Sequence, residues 1–135
     1  MAENLMKIER LIEAARKEDW DFVDGEIPKV ASDSQVISWA IETGIKDEND
    51  NVRDLAVSIL EKSEIDPQRF SHAEQVLYHL MRRDKHPYVR YRSAFALASH
   101  GSNRNREEVV GVLKEATRDP DTKEIAEGYL ETYKK

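Results

Sequence analysis

Apolar residues along this chain recur three, four, seven and eight positions apart, the spacing of helices with one buried face. No apolar–polar alternation of strand length interrupts them. Asn4 to Lys17 reads as a first helix, with Leu5, Ile8, Leu11, Ile12 and Ala15 on one face and Asn4 as its N-cap. Asp19 to Val30 is the least regular stretch. Trp20, Phe22, Val23 and Ile27 could line an inner face, while Gly25 and Pro28 predict a break or kink. From there the rhythm is even: helices over Ser34–Lys46, Asn51–Lys62, Ser71–Arg83, Pro87–Ser99, Arg104–Arg118 and Thr122–Lys134. Ser71 with Glu74 three residues on reads as a capping box, Pro87 suits a first helical turn, and His100-Gly101 supplies a stop.

Three of these helices are copies of one another. Asp47 to Leu60 aligns with Asp84 to Leu97 at an offset of 37, and Asp119 to Leu130 follows after a further 33. Each copy is a polar turn opening into a helix, so the repeating unit is a helix pair, and a period of this length means stacked pairs. Asp followed six residues later by Arg (Asp47 with Arg53, Asp84 with Arg90), then Ala and Leu at helical spacing, closely resembles the HEAT-repeat family over residues 33–133. That resemblance implies an all-α fold, a right-handed α-solenoid of about four HEAT-like pairs with an irregular first repeat. It also implies a ladder in which Asp47, Arg53, Asp84 and Arg90 join neighbouring repeats. The last copy departs from the pattern, with a turn two residues shorter and Thr122 and Lys123 in place of Val and Arg.

Composition narrows the class. At 135 residues, 39% apolar and 36% charged, residues 1–135 read as one thin, two-layer helical domain with no room for an appended catalytic one. No cysteine is present, which removes disulfides and thiolate metal sites. Neither a signal-peptide pattern nor an apolar run of membrane-spanning length occurs, so a cytoplasmic protein without a membrane partner is expected. Charge is uneven along the chain. Residues 1–66 hold 8 basic and 17 acidic side chains, net −9, whereas residues 67–106 hold 8 and 2, net +6.

Candidate chemistry is sparse. The run Asp47 to Asn51 looks briefly like a calcium loop, but Val52 stands where a sharp turn needs Gly and Ser58 where a bidentate Glu belongs. The four histidines lack zinc-site spacing. Some HEAT-type enzymes hydroxylate a modified lysine with a di-iron centre held by His-Glu pairs. The equivalent positions here hold Tyr91-Arg92 and Asp54-Leu55, so that activity is unsupported, and no enzyme, metal or cofactor is expected. Trp39, level with Val76 and Gly111, reads as core filling against a glycine-sized gap.

The middle copy breaks its own rule. Tyr91, Arg92 and Phe95 stand where the other copies carry Asp54, Leu55 and Ser58, or Glu124, Ile125 and Gly128. Tyr, Arg and Phe are enriched at interface cores. The alternative is that Phe95 rolls into the seam between repeats while Arg92 snorkels. By the family resemblance these second helices line the concave face, where partners dock. A non-catalytic protein-interaction module follows, with Tyr91, Arg92, Phe95, Arg90 and Lys85 engaging an unidentified protein through an acidic segment. The second expectation is nucleic-acid or phosphate binding through Arg82, Arg83, Lys85, Arg90, Arg92, Arg104 and Arg106, which the net charge of −6 opposes.

Overall fold

Helical periodicity becomes α1 (Ala2–Arg16), α2 (Trp20–Val30), α3 (Ser34–Glu42), α4 (Asp50–Lys62), α5 (Pro67–Arg83), α6 (Pro87–Ser99), α7 (Arg106–Ala116) and α8 (Lys123–Tyr133), with one 3-10 turn at Gly44–Lys46. The computed structural model describes the backbone of residues 2–133 and the side chains of residues 6–133. No strand occurs among the described residues, and the all-α, HEAT-like fold class is as expected. The cap expected from Asn4 lies outside the described side chains. Packing divides the chain into two compact units, Met1–Asp66 and Pro67–Lys135.

In the first unit α4 is central, lying against α1, α2 and α3. It buries Val52, Leu55, Ala56, Val57, Ile59 and Leu60. The helix of α2 runs unbroken from Trp20 to Val30, through Gly25 and Pro28. Pro28 falls in the last turn, where the N–H it lacks costs one bond at an exposed end. The buried face of α2 is Val23, Ile27 and Val30, which turns Phe22 outward to 38% exposure. Conversely, the helix expected to run to Lys46 stops at Glu42, because Thr43 leaves the helical region (φ −128°) and a 3-10 turn follows. Gly44 in that turn is obligatory: a Cβ there would lie 2.6 Å from Ala56 Cβ and 2.9 Å from the Trp39 ring. The glycine-sized gap beside Trp39 is therefore made by Gly44, while Gly111 faces open space.

In the second unit α5 packs along α6, α6 on α7 and α8, and α7 on α8. Phe70, Leu77, Met81, Val89, Phe95, Leu97, Val109 and Leu113 form its core. α5 begins a turn earlier than expected, with Pro67 at its first position, so the capping box at Ser71 does not form. Ser71 Oγ instead donates to Gln68 O (2.6 Å), and Glu74 accepts from Ser102 Oγ (2.9 Å). α6 ends as expected, on Gly101 at φ +69°, with Ser102 N–H donating to Leu97 O and Gly101 N–H to Ala98 O.

Candidate functional site: the turn before α6 and the outward side of α6

The turns opening α4 and α6 are built alike from aligned residues. Asn49 N–H donates to the Asp47 carboxylate (2.8 Å), and His86 N–H to that of Asp84 (2.9 Å). Asn49 then caps α4, accepting from the N–H groups of Asn51 and Val52. At the aligned position His86 caps α6, its Nδ1 accepting from Tyr88 N–H at 3.2 Å. The oxygens that suggested a calcium loop are thus occupied by backbone donors.

The two arginines diverge. Arg53 donates to the Asp47 and Glu48 carbonyls (2.9 and 3.0 Å) and pairs with Asp50. In the second copy Pro87 replaces that carboxylate, and Arg90 reaches α7 instead, donating both Nη atoms to Glu115 at 3.3 Å. Helical geometry sets Arg90 and Arg92 roughly 160° apart, so Arg90 faces α7 while half-exposed Arg92 points away from it.

Burial sorts the remaining expected residues. Phe95 is fully buried and stacks on Tyr129 with centroids 5.5 Å apart. Tyr91 is 9% exposed, tilted against Tyr88, with the Arg90 guanidinium over its ring. Phe95 is therefore core, turned inward onto the Tyr129 ring. Lys85 is exposed in the turn. Tyr88, which the sequence reading passed over, donates its hydroxyl to Asp121 (2.9 Å) with Asp119 at 3.5 Å. The hydrogen bond to the Asp121 carboxylate, with burial and the Asp119 charge adding to it, pushes its pKa up to about 12. Nothing local in the sequence marks this partner 33 residues away.

Part of the basic region is neutralised from within, Arg90 by Glu115 and Arg82 by Glu108. Arg82 grips Glu108 through Nε (2.6 Å) and Nη2 (3.0 Å), which holds the Glu108 carboxyl below its ordinary range and raises Arg82. Arg106 donates to the Tyr133 carbonyl and lies over that ring. Arg83, Lys85 and Arg104 are exposed and form no ion pair among the described residues. The Asn105 N–H donates to the Tyr78 phenol at 3.2 Å, which places Arg104 near Tyr78 of α5, while Arg83 ends that helix and Lys85 follows it in the turn.

Among the described residues no group of three or more His, Asp or Glu is arranged to hold a metal ion. No described helix is long and apolar enough to cross a membrane. What remains is a helix-pair repeat with a polar turn, and the family model for HEAT repeats matches residues 37–131. The chain belongs to the HEAT-repeat family. HEAT repeats generally serve as protein-interaction scaffolds and are generally non-catalytic. Comparison with curated proteins and with solved structures gives no match.

Proposed function

We propose that this HEAT-repeat chain is a non-catalytic interaction module that docks an acidic protein segment on its second unit. The observation that carries this reading is the set Arg83, Lys85 and Arg104, three exposed cations outside any ion pair among the described residues, while the neighbouring Arg82 and Arg90 are paired within the second unit. Buried Tyr91 and Phe95 hold α6 from beneath. Cations not engaged in an internal ion pair can meet a carboxylate-rich segment without first breaking one. Nucleic acid is the weaker reading, because within residues 67–106 only Arg83, Lys85 and Arg104 are both exposed and outside an ion pair, in a chain of net charge −6.

The test places a photo-crosslinking residue at exposed His79, one turn before Arg83, with the same residue at exposed Lys114 as control. Crosslinking in cells should trap a protein with an acidic run at position 79 and not at 114, and Arg83→Glu with Lys85→Glu should abolish that adduct. Identical adducts at both positions, or adducts with nucleic acid, would overturn the proposal.

A further inference from the structure

α8 carries a second surface of opposite charge. Of the large apolar side chains that stand in solvent among the described residues, only Ile125, 39% exposed, belongs to the second unit. Its register is that of a core residue: the aligned Leu55 of α4 is 1% exposed. Three residues on, a Cβ at Gly128 would meet nothing within 4 Å, so the helix surface beside Ile125 is open. Half-exposed Tyr129, fixed by its stack on Phe95, and exposed Thr132 continue the line at i+4 and i+7. The result is a narrow apolar shelf along one side of α8.

One edge of this shelf is acidic. Glu124, Glu127 and Glu131 are exposed on α8, Asp121 is exposed in the turn before it, and Lys123 is the single cation of the helix. The Tyr88 hydroxyl bound to Asp121 is neutral and leaves that charge in place. A two-fold pairing of two copies through this shelf would set glutamates against glutamates, and an acidic segment would be repelled.

We propose that the shelf docks a basic amphipathic helix of a partner, with a branched or aromatic side chain seated on Ile125 and Lys or Arg on the flanking glutamates. This surface is independent of the cations at Arg83 and Lys85, so either can fail alone.

The test uses the full chain, labelled with nitrogen-15, and a synthetic 14-residue amphipathic peptide of leucine and lysine as probe, at roughly 0.15 M salt to screen diffuse attraction. Amide shifts should concentrate on residues 121–132. Ile125→Ser should weaken binding about tenfold or more, as expected of an interface anchor, while Ile125→Val binds like wild type. Glu124→Lys with Glu131→Lys should abolish binding, and unfolding midpoints should stay near wild type because all three positions are exposed. Shifts centred on the acidic first unit, or equal affinity for wild type and Ile125→Ser, would overturn the proposal.

Discussion

One methyl group separates two glycines of this chain with opposite outcomes. Gly44→Ala places a Cβ 2.6 Å from Ala56 Cβ and 2.9 Å from Trp39 Cη2, against an optimum of roughly 3.5–4.0 Å for carbon pairs. The Ala56 Cβ is bonded directly to the α4 backbone and has no rotamer to change, so the 3-10 turn and α4 must part by about 1 Å. Ala56 is fully buried at the centre of the first unit, and moving α4 loosens its contacts with α1, α2 and α3 as well. Overpacking of this kind costs about 1–3 kcal/mol. At about 2 kcal/mol, and with a urea dependence of roughly 2 kcal/mol per molar, the unfolding midpoint should fall by about 1 M. Gly111→Ala is the matched control. It lies within α7, where an added Cβ meets nothing within 4 Å, so relief of the glycine entropy penalty should stabilise by up to about 1 kcal/mol. Urea titration of the two variants beside wild type reads both signs. If Gly44→Ala unfolds at the wild-type midpoint, the close approach of the turn to α4 is wrong.

Four further outcomes follow from the geometry. Phe95→Ala should cost about 3–5 kcal/mol by denaturant titration, and a loss below about 1 kcal/mol would contradict its burial. Asp84→Ala should cost about 1–2 kcal/mol through its bond to His86 N–H, whereas exposed Gln75→Ala should change stability by less than about 0.5 kcal/mol. Tyr88, held up to about 12, contributes stability that is present below the ordinary phenol range and is lost as pH rises through its folded value. Asp121→Asn should move its ultraviolet titration down towards ordinary tyrosine, and an unchanged titration would rule out the carboxylate as the cause. Glu108 is depressed by Arg82, so the benefit of that pair is present above the ordinary glutamate range and fades as pH falls through the lowered value. Carbon-13 carboxyl titration should show Glu108 rising towards ordinary glutamate in Arg82→Gln.

The fold was legible because each α4-type helix carries its own apolar period and its own polar turn, and those signals are local. Pro87 at the start of α6 and Gly101 at its end act within a turn of where they stand. Signals that depend on the competition between a helix and its surroundings were misread. Pro28 and Gly25 suggested a break, yet the buried Val23, Ile27 and Val30 carry α2 through them. The capping pattern at Ser71 was real as a pattern but lost to Pro67, which opens α5 a turn earlier. The middle copy differs from the others in residue type, but sequence cannot say inward or outward for Phe95, because that depends on its stack against Tyr129, 34 residues away. Nor could composition reveal that Arg82 and Arg90 of the basic region are paired with carboxylates of α7, 26 and 25 residues away.

Those long links also bear on how such a chain can evolve. An array of repeats grows or shrinks when a whole helix pair is duplicated or lost, provided each pair is an interchangeable part. In the second unit, Arg82 with Glu108, Arg90 with Glu115, Tyr78 with Asn105, Tyr88 with Asp121 and Glu74 with Ser102 each join α5 or α6 to residues that follow α6. Excising the Gly101–Tyr133 segment would leave those arginines and phenols without their partners, and copying α5 and α6 alone would create a second set with none. The two helix pairs of the second unit are thus not interchangeable parts: each carries half of the contacts that join them.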